Sequence, residues 1–523
     1  MADTSVLVVG GSLNGLTTAA LLAQHGVPCT VVERHASTTV QYKFRGISPR
    51  SMEVYRSLGI EDDIRAHRTG DQKSGEIARA PNLASSSDLH FQGRPWADAS
   101  DLSAVTAETC DQDQLEPILR RYAQRLGADL RFGHELVDLE QNEDEVIASI
   151  REVGGSQTQV LRASYVVAAD GVAGRTRERV GIGRHGPGVL QHWMNLIFEA
   201  DLQPYLQGKR FTSCFVTDIN ASVLPREDRW LLALQFAPDR GEKPEDFEQA
   251  RTEQLVRHAA GRNDLRVKLY DARPWEVAAY VADRFRAGRV FIVGDAAHSM
   301  PPTGGFGGNT GIHDAHNLAW KLALVTSGRA PPALLDTYDA ERRPIAEDTL
   351  AQALARLGAW FKNLGERLPP PVPIVDDFAV IFGQRYPAGP FVAEGQGTLF
   401  EDPRAPLRPP GSRAPHVVIA RADGPVAVHD LVGKRFLLLA GSGGQAWERA
   451  AATVAPELRI DLHAVRVEPT DSSAQSRLRE AYGVDEQGAV LIRPDGIIGW
   501  RSASGTADAT GALRAAVERV LCR

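Results

Sequence analysis

Short apolar runs that end in a glycine or an acid mark the beginning of this chain. Val6–Val9 ends at Gly10, Leu16–Gln24 has a helical composition, and Cys29–Val32 ends at Glu33. Apolar runs of four to six residues bounded by turn residues are typical of buried strands. The order of strand, glycine turn, helix and strand therefore predicts a βαβ unit.

Two later apolar runs end in the same way. Tyr165–Ala169 leads into Asp170-Gly171, and Val290–Val293 leads into Gly294-Asp295. Open α/β sheets bind ligands outside the carboxyl ends of their strands. These acids are therefore candidates for a ligand site.

The hydrophobic pattern changes twice along the chain. Leu196–Ala200 and Trp230–Phe236 are predicted strands between polar turns, so we expect a β-sheet domain over residues 181–280. It would interrupt an α/β domain made of residues 1–180 and 281–400. The second part of that domain contains an apolar stripe at helical spacing, formed by Leu350, Leu354, Leu357, Phe361 and Leu364.

Prolines divide the last third of the chain. They cluster at 369–373 and again between 403 and 415, which predicts an extended connector because proline fixes φ and lacks an N–H. Beyond the connector, predicted strands alternate with helices. We therefore expect a separate α/β domain over residues 413–523.

Composition narrows the classes of function. Hydrophobic residues make up 43% and charged residues 24%, and the net charge of −7 is spread without long runs of one sign. Nucleic acid is therefore not expected as a partner, because its binding needs a clustered basic face.

The four cysteines are far apart in the sequence and form no CxxC pair. This pattern favours reduced thiols in the cytoplasm, and it argues against a disulfide scaffold and against a metal site. Residues 4–24 are uncharged, but glycines and polar residues interrupt them, so no membrane span or export signal is predicted.

The first βα turn reads Gly10-Gly11-Ser12-Leu13-Asn14-Gly15. It is close to the G-x-G-x-x-G fingerprint of dinucleotide sites, with Ser12 in place of the middle glycine. Free N–H groups at the start of the helix favour phosphates. Glu33 follows Gly10 by 23 residues, where it can accept hydrogen bonds from the ribose of an adenosine. The turn and the acid together predict a dinucleotide but do not say which one.

A second motif identifies the family that the chain resembles. Residues 288–319 read GRVFIVGDAAHSMPPTGGFGGNTGIHDAHNLA. The chain resembles the flavoprotein aromatic hydroxylases, which are FAD-dependent single-component monooxygenases. Within them it resembles the aromatic polyketide hydroxylases of actinomycete antibiotic pathways, such as aklavinone hydroxylase. The likeness covers nearly the whole chain.

The resemblance implies an α/β multidomain fold. It consists of a Rossmann-like FAD-binding domain, an inserted β-sheet substrate domain and a C-terminal thioredoxin-like domain. Because this chain lacks CxxC, the last domain should be redox-inert.

The resemblance also implies which residues contact FAD. Asp295 would hold the ribityl chain, the backbone of 304–309 would face the pyrimidine end of the flavin, and Gln112 would contact the cofactor. Arg45 would lie near the pyrophosphate and the flavin and is the tentative catalytic residue, because it could orient the substrate. The expected cofactor-binding residues are Gly10, Gly11, Ser12, Leu13, Asn14, Gly15, Glu33, Arg34, Arg45, Gln112, Asp170, Gly294, Asp295, Pro302, Gly305, Gly307, Gly308 and Asn309.

Two features of the resemblance need separate mention. The family usually has a serine where this chain has Gly174, after the Asp170-Gly171 pair that is associated with FAD and NADPH together with Arg177. Histidines on a helix near a cofactor loop are expected to pack or to form hydrogen bonds rather than to catalyse. This applies to His298, His313 and His316.

A pocket for a flat polycyclic ligand is expected between the flavin and the middle sheet, because large aromatic side chains there could stack on it. The expected lining residues are Trp193, Phe215, Trp230, Leu234 and Phe236.

The resemblance implies the reaction. NADPH, or else NADH, reduces FAD, O2 forms a flavin C4a-hydroperoxide, and its distal oxygen attacks a phenol-like ring. Two alternatives stay open: a Baeyer–Villiger or ring-opening oxygenase on the same substrate class, and a flavin-binding protein without turnover. We expect a small aromatic molecule as the partner, and a monomer or a homodimer.

Overall fold

The computed structural model describes residues 2–41, 43–69, 77–85, 90, 91, 96, 98–206, 211–226, 229–422 and 424–523. Its strands are β1 (Thr4–Val9), β2 (Cys29–Glu33), β3 (Gly46–Ile47), β4 (Ile77–Ala80), β5 (His90–Phe91), β6 (Glu108–Thr109), β7 (Asp129–Phe132), β8 (His134–Gln141), β9 (Val146–Glu152), β10 (Thr158–Ala168), β11 (Arg184–Glu199), β12 (Ser213–Val216), β13 (Ala221–Pro225), β14 (Trp230–Phe236), β15 (Lys268–Ala282), β16 (Arg286–Ala287), β17 (Val290–Ile292), β18 (His298–Ser299), β19 (Val418–Ile419), β20 (Val426–Ala427), β21 (Phe436–Ala440), β22 (Leu462–Arg466), β23 (Ala489–Ile492) and β24 (Ile498–Ser502). Its α-helices are α1 (Leu13–Gln24), α2 (Pro49–Ser57), α3 (Glu61–Ala66), α4 (Gln112–Arg125), α5 (Thr176–Arg179), α6 (Gln203–Leu206), α7 (Gln249–Ala260), α8 (Phe306–Thr326), α9 (Thr337–Trp360), α10 (Asp377–Phe382), α11 (Gln445–Leu458), α12 (Ser472–Arg477) and α13 (Ala509–Val520).

The first sheet is a Rossmann-like parallel sheet with β1 at its centre. Its core order is β17-β10-β1-β2-β7, and every neighbouring pair in this core is parallel. The predicted βαβ unit is present as β1, α1 and β2, and the two later apolar runs form the ends of β10 and β17. β2 pairs with β1 on one side, and β10 pairs with it on the other. Because the strand order changes direction at β1, the crevice at its carboxyl end is the expected ligand position.

The second sheet has the order β18-β15-β11-β14-β13-β12-β4-β5 and is mainly antiparallel. It draws β4, β5 and β18 from outside residues 181–280, because their short segments complete its edges by backbone pairing. One face of this sheet packs under α7 and forms a separate hydrophobic core. The other face contributes Trp193, Ala233 and Val277 to the core of the first domain.

The predicted apolar stripe on the long helix is shorter than expected. Leu350, Leu354 and Leu357 are buried on α9, but the helix ends at Trp360. Phe361 has φ −122° and ψ 80°, which are not helical angles. Phe361 therefore leaves the helix, and its ring contacts the aromatic side chains of the second sheet.

The proline-rich connector is not extended throughout. Its first part contains α10, which starts at Asp377 with the Asp376 side chain accepting from the Phe378 N–H at 2.9 Å. Beyond it, the C-terminal sheet has the order β22-β21-β23-β24, with β21 parallel to β22 and antiparallel to β23. This order and these directions are those of a thioredoxin-like fold, and helices cover both faces.

Buried ion pairs attach the C-terminal domain to the first domain. Arg493, just after β23, donates from Nη1 to Glu341 Oε1 of α9 at 2.5 Å. Lys321 of α8 donates from Nζ to Glu341 Oε2 at 2.5 Å, and Asp495 pairs with Arg493 from within its own turn. Arg493, Lys321 and Glu341 have no solvent-exposed side-chain surface. We call Lys321, Glu341, Arg493 and Asp495 the docking network.

Two buried histidines beside this junction make stability depend on pH. Burial lowers the pKa of His316 and of His429 to about 3, and the nearby Arg50 and Arg413 add to the effect. Below pH 6.5 the unfolded chain binds protons at these sites and the folded protein does not, so stability falls as the pH falls toward 3. We expect the free energy of unfolding to decrease by about 1 kcal/mol per pH unit for each histidine between pH 6 and 4. Chemical denaturation at several pH values checks this, and a His429→Asn variant should show a shallower slope.

Candidate functional site

The glycine turn after β1 is packed so tightly that a side chain on Gly10 or Gly15 would overlap the backbone. Gly10 has φ +105°, and a Cβ there would overlap the carbonyl oxygen of Ala169 at the end of β10. A Cβ on Gly15 would overlap the carbonyl oxygen of Gly10. The first turn of α1 is therefore pressed against the strand end, where its free N–H groups point into the crevice.

Glu33 at the end of β2 closes this turn. Its Oε2 accepts from the Gly11 N–H at 2.7 Å, and its Oε1 accepts from the His35 N–H at 2.8 Å. Arg34 is exposed beside it, whereas the Leu13 side chain lies in the core. Glu33 is thus fixed at the crevice edge, and of Leu13 only the backbone is placed to face a ligand.

Ser12 differs from the fingerprint, and its side chain has specific partners. Its hydroxyl donates to Glu116 Oε1 at 2.6 Å and accepts from Gln112 Nε2 at 3.0 Å. Gln112 also donates to Glu116 Oε1 at 2.7 Å, and Glu116 Oε2 accepts from the Thr39 N–H. The serine side chain is therefore directed toward α4, away from the turn's own N–H groups.

The Gly294-Asp295 turn lies directly against the glycine turn. The Asn14 side chain fits between Gly294 and Gly311, and a Cβ on either glycine would overlap it. Asn14 Oδ1 is buried without a hydrogen-bond partner. Asp295 keeps solvent access, while the surrounding protein partly desolvates its carboxyl group and raises its pKa. Asp295 is therefore accessible to a ligand just beyond the carboxyl end of β17.

A buried acid holds the Gly294-Asp295 turn from behind. Asp314 of α8 accepts from the Gly294 N–H at 3.1 Å, from His298 Nε2 at 2.6 Å and from Arg342 Nε at 2.9 Å. Burial alone would raise the pKa of Asp314, but His298 and Arg342 lower it to about 2. His298 thus has a structural partner, as does His313, whose Nε2 lies 3.2 Å from Ser51 Oγ.

Asn309 fixes the start of α8. Its Oδ1 accepts from the Ser48 N–H at 2.9 Å, and its Nδ2 donates to the carbonyls of Gly46 and Gly305 at 3.0 and 2.8 Å. Since these three bonds engage both N–H groups and the oxygen of the amide, the Asn309 side chain orders the loop. Of the other predicted loop residues, Pro302 and Gly305 are exposed and Gly307 and Gly308 are half-buried.

Asp170 faces its own loop. Its Oδ2 accepts from the N–H and hydroxyl of Thr176 at 3.0 and 2.8 Å, and its Oδ1 is buried without a partner. A Cβ on Gly174 would overlap the Asp170 carboxyl, so a serine at this position would require that carboxyl to move. Arg177 is buried and donates to the Ile182 carbonyl at 2.5 Å. Its guanidinium therefore supports this loop.

Arg45 is placed differently from the sequence expectation. Its Nε donates to Asp111 Oδ1 at 2.9 Å, and its Nη2 donates to Asp111 Oδ2 at 3.3 Å. Its remaining bonds go to the carbonyls of Thr212 and Pro225 at 3.2 and 2.7 Å. With its guanidinium committed in this way, Arg45 is a bridge between domains in this structure, not a free cation facing a substrate.

The five predicted pocket residues lie on opposite faces of the second sheet. Trp230, Leu234 and Phe236 pack in the core under α7, so the structure contradicts their assignment to the pocket. They alternate along β14 and therefore share one face. Trp193 and Phe215 lie on the other face, toward the first domain.

On the face toward the first domain, Trp275 and Phe361 join the predicted Trp193 and Phe215 in one aromatic group. Trp193 lies 5.7 Å from Trp275, and both Trp193 and Phe215 contact Phe361 edge to face with ring centroids 6.3 Å apart. Trp275 donates from Nε1 to Asn195 Oδ1 at 2.8 Å, which fixes its orientation. We call Trp193, Phe215, Trp275 and Phe361 the aromatic wall.

Within the described part of the chain, no group of three or more His, Cys, Asp or Glu side chains is arranged to hold a metal ion. Among the same residues, no helix is long and apolar enough to cross a membrane.

The fold and the site together define a dinucleotide-binding domain with an inserted β-sheet domain and a thioredoxin-like C-terminal domain. A crevice lined by an unpartnered Asn14 oxygen, an accessible Asp295 and the N-termini of α1 and α8 fits FAD. A family model described as an FAD binding domain matches residues 3–353, and one described as the C-terminal part of aromatic-ring hydroxylases matches residues 408–523. The chain belongs to the family of FAD-dependent aromatic hydroxylases.

Similar proteins place it among the polyketide hydroxylases of that family. Tetracenomycin A2 monooxygenase-dioxygenase of Streptomyces glaucescens is 37% identical over 100% of this chain and 97% of its own length. Aklavinone 12-hydroxylase of Streptomyces purpurascens is 37% identical over 100% and 99%. A ternary complex of aklavinone-11 hydroxylase with FAD and aklavinone superposes with a TM-score of 0.92 at 35% identity, covering all of both chains. The protein is therefore an FAD-dependent monooxygenase of the aromatic polyketide hydroxylase type.

Proposed function

We propose that this enzyme uses NADPH and O2 to hydroxylate a polycyclic phenol of the aromatic polyketide class, in secondary-metabolite biosynthesis. The observation that carries the proposal is the contact of Asn14 with both Gly294 and Gly311. It brings the glycine turn, the Gly294-Asp295 turn and α8 to one crevice. When bound, FAD supplies the redox chemistry, taking electrons from NADPH and activating dioxygen.

Different residues of the crevice bind different parts of FAD. The N-terminus of α1 binds the pyrophosphate through backbone N–H groups, and Glu33 accepts from the adenosine ribose. Asp295 accepts from the ribityl chain. The free N–H groups at the start of α8 would face the pyrimidine end of the flavin and would favour negative charge there.

The aromatic wall binds the substrate. Its four rings offer flat and edge surfaces for a polycyclic ligand, and they exclude water from the reacting carbon. Aklavinone, bound in the similar complex, is a ligand of this class.

The test uses purified holoprotein. We expect absorption bands near ~370 and ~450 nm, NADPH oxidation accelerated by a polycyclic phenol, and a product heavier by one oxygen that comes from 18O2. NADH in place of NADPH tests the choice of reductant. Oxygen inserted into a ring bond, seen by NMR, would instead indicate the Baeyer–Villiger or ring-opening alternative. If no aromatic ligand accelerates the reduction of the flavin by NADPH, both the hydroxylase and the Baeyer–Villiger or ring-opening hypothesis are contradicted.

Two phenylalanines on opposite faces of the second sheet test the aromatic wall. Phe215→Leu removes a ring from the wall, so we expect the substrate KM to rise about three- to tenfold with little change in stability. Phe236→Leu alters the core under α7, where its ring meets Phe247 at 5.9 Å. It should lower the free energy of unfolding by about 1 kcal/mol and leave KM unchanged. Steady-state kinetics and thermal melting of both variants decide the matter, and equal KM values would contradict the assignment of the wall.

A further inference from the structure

A buried cluster of three charged side chains lies where the cofactor crevice meets the second sheet. Asp111 pairs with Arg45 at 2.9 Å and also with Arg226, and at most a tenth of any of the three side chains is exposed. Arg45 extends the cluster to the carbonyls of Thr212 and Pro225. We call Arg45, Asp111 and Arg226 the Asp111 clamp.

The clamp is adjacent to three functional parts of the molecule. Phe44, next to Arg45, packs on Gly308 in the first turn of α8. Gln112, next to Asp111, donates to Ser12 of the glycine turn. The third part is the sheet itself, because Thr212 precedes β12 and Pro225 ends β13. One set of ion pairs therefore links both sides of the crevice to the strands that carry Phe215.

The Asp111 side chain pairs with the arginines instead of capping its own helix, α4. Asp111 is the N-cap residue of α4, where an aspartate normally accepts from an N–H of the first helical turn. Here its side chain makes no such bond, and both oxygens face the arginines. Burial raises the pKa of Asp111, but Arg45 and Arg226 lower it by more, so the carboxylate stays charged at neutral pH.

We propose that Asp111 is a positioning residue that holds the substrate sheet at its working distance from the flavin crevice. The proposal rests on the proposed function, because it concerns where that reaction places its substrate. Coupled turnover converts NADPH, H⁺, O2 and ArH into NADP⁺, ArOH and H2O. When the ring is misplaced, NADPH, H⁺ and O2 yield NADP⁺ and H2O2 instead. The ratio of H2O2 to ArOH therefore reports whether the ring is placed for oxygen transfer.

The test compares two variants that remove matched charges. Asp111→Asn removes a carboxylate shared by two arginines. Glu401→Gln does the same outside the Asp111 clamp, because Glu401 pairs with Arg385 at 3.0 Å and with Arg408 at 2.8 Å. A general effect of breaking a shared ion pair should appear in both variants, and an effect on positioning only in Asp111→Asn.

We expect Asp111→Asn to raise the substrate KM and the H2O2 fraction about tenfold, while the Kd for FAD changes less than threefold. Without FAD or substrate, hydrogen exchange should quicken in β12 and β13 but not in β23. Glu401→Gln should leave KM, the H2O2 fraction and exchange in β12 and β13 as in the native protein. Equal H2O2 fractions in the two variants, or a parallel loss of FAD affinity in Asp111→Asn, would overturn the proposal.

A second variant keeps the test decisive if Asp111→Asn fails to fold. Arg226→Met with Asp111→Asn removes one positive charge together with the negative one, and it should show the same rise in the H2O2 fraction. If the native protein hydroxylates no aromatic ligand, the proposed function fails. The hydrogen-exchange comparison still tests the clamp in that case, because it needs neither substrate nor FAD.

Discussion

Gly15→Ala is expected to abolish stable FAD binding. The added methyl group would occupy the place of the Gly10 carbonyl oxygen, so α1 would have to move away from the end of β1. The N–H groups at the start of α1 would move with it, and their distance to the pyrophosphate would increase. Because neither the strand nor the helix can move without disturbing a packed core, we expect the Kd for FAD to rise about 100-fold or more.

The measurement is a titration of apoprotein with FAD, followed by quenching of flavin fluorescence. Gly358→Ala is the matched control, since Gly358 is also helical and a Cβ there would meet only a Leu368 methyl group at 3.1 Å. That substitution should leave FAD affinity unchanged and slightly stabilise α9, because alanine is the better helix former. A Gly15→Ala protein that holds FAD as tightly as the Gly358→Ala protein would show that α1 does not bind the pyrophosphate.

The parallel sheet could be predicted from sequence because its strands are buried on both faces. The apolar run Val6–Val9 lies inside β1 and ends where the strand ends. The run Val290–Val293 extends one residue beyond the end of β17. Prediction from hydrophobic spacing was less accurate at the end of α9, where the backbone angles change. Phe361 continues the helical spacing of Leu354 and Leu357, yet the backbone leaves the helix at this residue. Periodicity cannot detect a helix end that no glycine or proline marks.

Whether a site residue could be predicted depends on how far along the chain its partners lie. Motifs in a single turn, such as Gly294-Asp295, were found because the backbone requirement lies within the motif. Arg45 was identified by position, but its partner Asp111 is 66 residues away, so only the folded chain shows where its guanidinium goes. The alternation of Trp230, Leu234 and Phe236 indicates one shared face, but not that α7 covers it.

Glu341→Gln is expected to detach or destabilise the C-terminal domain. Glu341 is the acid that Lys321 and Arg493 share, with both ion pairs fully buried. A glutamine keeps the shape of the side chain but leaves these cations without a compensating charge, apart from Asp495 on Arg493. Removing one partner of a buried ion pair is costly because the remaining charge stays out of water. We expect the free energy of unfolding at pH 7 to fall by about 3 kcal/mol.

Denaturant unfolding measures the effect, and Glu394→Gln is the comparison. Glu394 pairs with Arg501 at 2.6 Å near the surface, with more than a third of its side chain exposed, so its loss should cost less than about 1 kcal/mol. The pH dependence identifies the cause. Burial already lowers the pKa of Lys321 to about 8, and without Glu341 the lysine should lose its proton more readily still. The penalty of Glu341→Gln should therefore shrink between pH 7 and 9, whereas a penalty that stays constant would point to lost packing instead of an unpaired charge.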